Sequence, residues 1–239
     1  MARPLRIEYP GAHYHITSRG NEQKDIFKSQ RDREKFLEYL DSATTRYGAV
    51  IHTYCLMSNH YHLLLETPGG NLSEIMRHIN GAYTTYFNVK RKRAGHLLQG
   101  RYKAILVEAD EYLVELSRYI HLNPVRVGII ERPEQYPWSS YLSYTGHSKP
   151  PAWLRPGFIL GCFAKQIDDA RKRYRTFVED RLGKEYDSPL KKSIGTSILG
   201  SVAFVEEIST AYLQGKKDRN IPALRQFLSR PTPETIGQA

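Results

Sequence analysis

The chain has 239 residues, of which 40% are hydrophobic and 25% are charged. This is the composition of a folded protein, and it excludes extensive disorder. Lys and Arg outnumber Asp and Glu by 35 to 25, and the net charge of +10 favours a polyanionic partner, with nucleic acid ahead of a membrane surface. A basic enzyme without such a partner is the alternative that charge alone leaves open.

Two classes of protein are not expected from this sequence. No segment reaches the run of about 18 apolar residues that a membrane helix needs, and the first residues lack the apolar core of a signal peptide. Cys55 and Cys162 are far apart and form no Cys-x-x-Cys pair, so neither a disulfide framework nor a cysteine zinc site is expected. We therefore expect a cytoplasmic protein that is not bound to a membrane.

Hydrophobic periodicity predicts alternating strands and helices up to about residue 145. Four strands are predicted, at His13–Ser18, Val50–Met57, His60–Glu66 and Ala104–Glu108. Three helices are predicted from apolar stripes, which comprise Phe36, Leu37, Leu40 and Ala43, then Leu72, Ile75, Met76, Ile79, Tyr83 and Phe87, then Leu113, Leu116 and Ile120. This order of elements predicts an α+β fold, in which a four-stranded antiparallel sheet has the split β-α-β (ferredoxin-like) arrangement.

The ends of these helices are marked by residues that favour helix termini. The residues predicted to cap helix N-termini are Ser29, Asn71 and Asp110. Gly48 is expected just after the first helix. Pro124 predicts that the third helix ends near Asn123, because proline disfavours helical geometry in the residue before it.

The sequence pattern changes after Trp138. Two proline-containing stretches, at residues 150–151 and 155–157, predict a connector between a domain of residues 1–148 and a mostly helical C-terminal extension of residues 149–239. Two helices are expected in the extension, with apolar stripes of Ile167, Ala170, Tyr174, Phe177 and Leu182, and of Ile198, Val202, Val205 and Ile208. The first also carries a basic cluster, Arg171–Arg173 with Arg175, which suits a solvated surface and a nucleic-acid surface equally well. Residues 230–239 have the composition of an open tail.

The sharpest local motif is His60-Tyr61-His62. Residues two apart on a strand face the same side, so the two imidazoles are presented together while Tyr61 faces the opposite side. Two neighbouring imidazoles can bind one divalent ion, although an isolated His-x-His pair is more often an ordinary pair on a half-exposed strand. The same tripeptide recurs at His13-Tyr14-His15, and spacing alone does not choose between the two pairs.

The third predicted helix carries a candidate partner for one of the histidine pairs. Tyr119 and Asn123 are four residues apart and therefore share a helix face. His121 lies about 200° around the helix from Tyr119 and is expected to point away. Packing in the core is the competing interpretation of Tyr119, because the chain contains 17 tyrosines.

A basic segment follows the second predicted helix. Its six basic residues, with no acidic residue among them, are Lys90, Arg91, Lys92, Arg93, Arg101 and Lys103. Such a segment can neutralise phosphates and release counterions, which predicts contact with DNA; a solvated loop is the alternative. Tyr86 and Tyr102 lie nearby and are candidates for stacking on unpaired bases, whereas Tyr83 and Phe87 are expected in the core.

Three separated motifs together resemble one known family. They are YCLMSNHYHLLL at Tyr54–Leu65, GRYK at Gly100–Lys103 and YIHLNPVR at Tyr119–Arg126. With these motifs the chain resembles the REP-associated tyrosine transposases, which are relatives of the single-strand insertion-sequence transposases in the His-hydrophobic-His endonuclease superfamily. The resemblance covers about residues 5–145, and the fold of that family agrees with the one predicted from periodicity.

The resemblance implies a role for each candidate residue. His60 and His62 are implied as metal ligands, Asn123 as a third ligand and Tyr119 as the nucleophile, while His13-Tyr14-His15 matches the first strand of the family and not its metal motif. Mg²⁺ or Mn²⁺ suits two imidazoles and an amide oxygen. The implied reaction cuts single-stranded DNA beside a hairpin through a 5′-phosphotyrosine link and rejoins strands without ATP. The resemblance implies that the active protein is a monomer or a homodimer.

Two other functions are weaker interpretations of the sequence. A two-histidine phosphoesterase needs two separated His-x-Thr/Ser elements, and only His15-Ile16-Thr17 occurs in a strand context. A domesticated protein that binds hairpin DNA without cutting it is the second alternative. The joint presence of His60, His62 and Tyr119 argues against decay of the active site.

Overall fold

The computed structural model describes residues 6–109, 111–184, 187–193 and 197–213. The strands are β1 (Ala12–Arg19), β2 (Val50–Leu56), β3 (His60–Thr67), β4 (Lys103–Val107) and β5 (Ile198–Leu199). The α-helices are α1 (Gln30–Tyr47), α2 (Leu72–Lys90), α3 (Glu111–Arg126), α4 (Tyr141–Thr145), α5 (Gly157–Gly161), α6 (Ile167–Glu179) and α7 (Val202–Tyr212).

The strands form one mixed sheet in the order β2-β3-β1-β4-β5. The first four strands pair antiparallel, as predicted. The prediction of a purely antiparallel four-stranded sheet was nevertheless wrong, because β5 adds a fifth strand parallel to β4. Ile198 had been predicted on a helix, because a strand of two residues is too short to show a period of two. The strand β5 is held by the backbone N–H groups of Leu106 and Glu108, which donate to the carbonyls of Ser197 and Leu199.

The predicted caps account for both ends of α1. The Oγ of Ser29 accepts a hydrogen bond from the backbone N–H of Asp32, and Gly48 ends the helix in the left-handed conformation, with a φ of 66°. Asn71 precedes α2 as predicted, but its side chain makes no cap hydrogen bond there and donates instead to the carbonyl of Tyr47. Asp110 lies outside the described residues.

Each face of the sheet is covered by helices. Tyr14, Ile16, Tyr61 and Leu63 belong to the core formed with α1 and α2. Alternate residues of the same strands point the other way, toward a second core formed with α3, α4, α5 and α6. We call this second side of the sheet the α3 face.

Helix α3 continues through Pro124 to Arg126, so the prediction that it ends near Asn123 was wrong. A proline in a helix removes one backbone hydrogen bond, here the one to the carbonyl of Ile120. Pro124 lies in the last turn, and the next N–H groups still find acceptors: that of Val127 donates to the carbonyl of Asn123 at 3.2 Å. The extra turn places Arg126 on the same helix face as Tyr119.

The segment after residue 148 packs on the same structure. Tyr174 of α6 and Ile159 of α5 share a buried cluster with Leu116 of α3. The backbone N–H of Arg155 donates to the carbonyl of Ile51 at 2.8 Å, which covers part of the edge strand β2. The division at residue 148 stays a prediction. No helix in the described parts of the chain is long and apolar enough to cross a bilayer.

Candidate active site

The two histidines of the predicted metal motif lie side by side on the α3 face. The ring centroids of His60 and His62 are 5.0 Å apart. Tyr61 points to the opposite side, where its hydroxyl donates to Oδ1 of Asn80 at 2.6 Å. The alternation predicted for this motif is therefore confirmed.

The tautomer of His60 is set by its neighbour Asn59. The amide nitrogen of Asn59 donates to the carbonyl of Gln23 at 3.2 Å, which directs the amide oxygen toward His60. That oxygen lies 2.6 Å from Nδ1 of His60, so Nδ1 carries the proton and donates. The lone pair of His60 is then on Nε2, which is the arrangement that a metal ligand requires.

His15 is a site residue that the sequence did not reveal. Its Nε2 lies 3.0 Å from Nδ1 of His62, and the two rings stack with centroids 5.2 Å apart. The motif around His15 had been assigned only to the first strand. Antiparallel pairing of β1 with β3 places Thr17 opposite His62 and Leu64 opposite His15, so the two imidazoles are diagonal neighbours.

All three imidazoles are neutral at neutral pH. Burial lowers the pKa of His62 well below its ordinary value, and the nearby His15, His60 and Arg126 lower it further. Burial lowers the pKa of His15 to about 3. For His60, burial and then the positive charge of Arg19 lower the pKa. Neutral imidazoles offer lone pairs, so this donor set fits a divalent cation held by His60 and His62.

Tyr119 of α3 packs against this group within the same chain. Its ring lies edge-on to His62 and to His15, with centroids 5.9 Å and 6.2 Å away. The residue is 9% exposed. The structure therefore brings together the tyrosine and the histidine pair that were predicted from the sequence.

Arg126 completes the surroundings of Tyr119. Its guanidinium carbon lies 4.7 Å from the centroid of the Tyr119 ring, within the range of a cation–π interaction. Arg126 ends the motif Tyr119–Arg126 but was not predicted as a site residue, because the predicted helix end at Asn123 would have separated it from the face that carries Tyr119.

Asn123 is buried one turn beyond Tyr119. Its Nδ2 donates to the backbone carbonyl of Tyr119 at 2.8 Å, which leaves the amide oxygen as the remaining acceptor. Among the described residues, no hydrogen bond or ring contact joins Asn123 to His60 or His62. Its role as a third metal ligand stays a prediction.

His121, between these two residues, faces the opposite direction. Its Nδ1 and Nε2 lie 2.7 Å from the hydroxyls of Tyr174 and Ser140, respectively. The prediction that His121 points away from the site is confirmed.

The predicted DNA-binding residues divide into two sets. Lys90 and Arg91 are bound to Asp32, at 2.6 Å and 2.7 Å, and this aspartate is fully buried at the start of α1. Burial alone raises the pKa of Asp32, but hydrogen bonds from Lys90 and Arg91, and then from the Lys28 N–H, outweigh it and lower the pKa to about 2. Lys90 and Arg91 thus join α2 to α1.

The second set comprises Lys92, Arg93, Arg101 and Lys103, all of them exposed. Lys103 is paired with Thr17 on β1, and Thr17 is paired with His62 on β3, so Lys103 lies on the same sheet face as the histidines. Arg101 lines an open groove of about 560 Å³ between α2 and the loop that precedes β4.

The aromatic residues near this segment are mainly core residues. Tyr83 and Phe87 are each 1% exposed, as predicted. Tyr102 is buried beneath Arg6, whose guanidinium lies 4.0 Å from the ring centroid. In the C-terminal basic cluster, Arg175 pairs with Glu179 at 2.8 Å.

Comparison with known proteins defines the class of protein. Residues 8–123 match the family described as "Transposase IS200 like". The matched part of the chain carries both histidines and Tyr119.

Two relatives are also similar to this chain. A protein of Haemophilus influenzae that is named as a REP-associated tyrosine transposase is 24% identical over 134 residues, which are 48% of this chain and 76% of the relative. A solved structure of a REP-associated tyrosine transposase bound to a REP hairpin superposes with a TM-score of 0.54 and 17% identity, over 66% of this chain and 93% of that chain. The second likeness shows the fold. Together with the family match, these comparisons confirm the resemblance to REP-associated tyrosine transposases that the motifs indicated.

Proposed function

We propose that this protein cuts and rejoins single-stranded DNA beside REP-type hairpins, with Tyr119 as the nucleophile and a divalent cation bound by His60 and His62. The observation that carries the proposal is the packing of Tyr119 against His62 and His15 of its own chain, with ring centroids about 6 Å apart. A tyrosine beside neutral imidazoles combines a nucleophile with ligands for a cation.

Mg²⁺ or Mn²⁺ held by His60, His62 and the amide oxygen of Asn123 would polarise the scissile phosphate and offset the charge that develops on it. His15 contributes as a positioning residue: as the acceptor for Nδ1–H of His62, it leaves the Nε2 lone pair of His62 available for that cation. Asn59 has the same effect on His60.

In the proposed cleavage, the phenol oxygen of Tyr119 bonds to phosphorus and the bond from phosphorus to the 3′ oxygen breaks. The phenol loses one proton and the departing 3′ oxygen gains one, so the step leaves a 5′-phosphotyrosine and a free 3′-hydroxyl. Arg126 lies over the Tyr119 ring, where its guanidinium favours negative charge on the phenol oxygen and on the phosphate. A second 3′-hydroxyl reverses the same exchange and joins strands.

The DNA contacts in this proposal come from the exposed basic residues Lys92, Arg93, Arg101 and Lys103. Lys103 shares the sheet face of His62 and is the one best placed to meet the phosphates beside the cut. Lys90 and Arg91 act mainly on the fold, because Asp32 holds both. The REP hairpin bound by the structural relative suggests the substrate class.

A covalent-adduct assay tests the proposed reaction. The chain is incubated with Mn²⁺ and a 5′-unlabelled, 3′-labelled hairpin oligonucleotide, then boiled in detergent and resolved on a denaturing gel. Wild type is expected to carry the label, because the nucleophile holds the 5′ end of the released piece. Tyr119→Phe removes one oxygen atom and is expected to bind the hairpin normally without forming the adduct.

The metal requirement is tested with the same oligonucleotide. His60→Ala and His62→Ala are each expected to abolish the adduct while leaving hairpin binding largely intact, and EDTA is expected to do the same to wild type. An undiminished adduct from Tyr119→Phe, or full activity of His60→Ala in EDTA, would refute the proposal.

A further inference from the structure

A second group of potential metal ligands lies on the α3 face, farther along the strands from His62. It comprises His13 on β1, His52 on β2 and Glu66 on β3. His13 and Glu66 are directly opposite each other in the β1–β3 pairing. The group shares no residue with the candidate active site.

A β-bulge brings His52 into this group. The β2–β3 register pairs Ile51 with Leu65 and Thr53 with Leu64, so His52 is the extra residue. Counted back from Thr53, strict alternation would put His52 on the opposite side, facing α1 and α2. The bulge instead directs its imidazole toward Glu66.

The spacing of the ligand atoms matches one bound ion. Oε2 of Glu66 lies 3.5 Å from Nε2 of His13 and 3.3 Å from Nε2 of His52. Charge-assisted hydrogen bonds are shorter, about 2.7–2.9 Å. Two ligands at about 2.0–2.1 Å from a tetrahedral ion are about 3.3 Å apart. One ligand atom from each of the three side chains lies within 4.8 Å of the other two.

The hydrogen bonding of His52 also points to a cation. Its Nδ1 lies 3.2 Å from the carbonyl oxygen of Arg155, and its Nε2 lies 3.3 Å from the Glu66 carboxylate. Both partners are acceptors, and a neutral imidazole has only one N–H to donate. With the proton on Nδ1 and a cation between Nε2 and Glu66, both nitrogens are satisfied.

We propose that His13, His52 and Glu66 form a second metal site, distinct from the active site, that binds Zn²⁺ or a similar transition-metal ion. Two imidazoles and a carboxylate are a ligand set typical of zinc. The Arg155 carbonyl orients His52, and the Phe158 ring of α5 lies 5.9 Å and 6.0 Å from the rings of His52 and His13. The ion would therefore fasten the segment 155–158 to the sheet.

Zinc titration of the full, untagged chain tests this site. The double variant His60→Ala/His62→Ala serves as the background, because it removes the proposed catalytic ligands. In that background we expect one Zn²⁺ per chain by calorimetry, a rise in melting temperature on adding zinc, and visible absorption bands with Co²⁺ in place of zinc. Adding Glu66→Gln or His52→Gln is expected to weaken binding at least tenfold. Adding His147→Ala, which changes an exposed histidine outside the group, is expected to leave binding unchanged.

The outcomes separate the two metal sites. The second site is overturned if the folded double variant binds no zinc, or if Glu66→Gln leaves zinc binding unchanged. Neither result bears on the proposed cleavage reaction. If His52→Gln fails to fold, Glu66→Gln decides alone, since the Glu66 side chain is 26% exposed and tolerates an amide of the same size. Full zinc binding by the double variant together with an inactive wild type would support this site and count against the proposed function.

Discussion

His15 and His62 meet across two neighbouring strands, with Nε2 of His15 3.0 Å from Nδ1 of His62. This contact is a hydrogen bond, in which one of the two nitrogens carries the proton and the other accepts it. Both rings are neutral, so each ring holds only one proton. Only the state in which His62 donates leaves its Nε2 lone pair free. The proposed metal site thus depends on a residue that is not itself a ligand.

Changing His15 to Phe is expected to weaken metal binding at the active site about 10- to 100-fold while keeping an aromatic ring in the same place. The measurement is the Mn²⁺ concentration that gives half-maximal adduct formation. His15→Gln, whose amide oxygen can accept from His62, is expected to have a smaller effect. His78→Phe, on α2 at the other side of the sheet, is the control. An unchanged Mn²⁺ requirement in His15→Phe would show that His15 only fills space.

The active site is expected to work within one chain, because Tyr119 packs against His62 of the same chain. A mixture of Tyr119→Phe with His60→Ala/His62→Ala is therefore expected to form no covalent adduct, even after the two variants are unfolded and refolded together. Recovery of the adduct in the mixture, at a level that rises with protein concentration, would instead place the tyrosine and the histidines on different chains.

Asp32→Asn is expected to destabilise the protein at pH 7 by about 1–3 kcal/mol, because it leaves Lys90 and Arg91 without their charged partner. The pKa of Asp32 in the folded protein, about 2, lies below the ordinary value of about 3.9 in an unfolded chain. Its stabilising effect is therefore complete above about pH 4 and is lost as the pH falls toward 2.

Urea unfolding at pH 7 and at pH 3 measures this effect. The difference between wild type and Asp32→Asn should shrink at the lower pH. Asp41→Asn, which changes an exposed carboxylate on the same helix, should have little effect at either pH. An equal loss for Asp32→Asn at both pH values would contradict the assigned ion pairs.

Lys103→Ala and Arg101→Ala are each expected to weaken hairpin binding without changing the melting temperature. If each residue contacts one phosphate, the slope of log affinity against log salt concentration falls by about 0.7–0.9 per substitution. Lys90→Ala is the matched contrast: the melting temperature should fall, since Asp32 loses a partner, while the salt slope stays close to that of wild type. Identical salt slopes for wild type and Lys103→Ala would exclude Lys103 from the DNA interface.

The sequence predicted those features that depend on short-range periodicity. Four strands and α1, α2 and α3 follow directly from apolar residues at spacings of two or of three to four, and Ser29 and Gly48 mark the limits of α1 through their own backbone chemistry. The opposite orientations of Tyr61 and His62 follow from the same alternation. The strand β5 was not predicted, because two residues show no periodicity and form a strand only by pairing with β4.

What the sequence determined by itself is the identity of the chemical groups: a His-x-His pair on one strand, and a tyrosine and an asparagine one turn apart on a helix. Which further groups meet them was decided by the tertiary structure alone. Strand register set His15 beside His62, a helix that continued past Pro124 set Arg126 over Tyr119, and a bulge at His52 assembled a second cluster with His13 and Glu66. The first and third of these contacts join residues on different strands, and the second depends on a helix that continues past a proline. Local propensity cannot specify such contacts, because a shift of one position in a strand reverses the direction of every side chain.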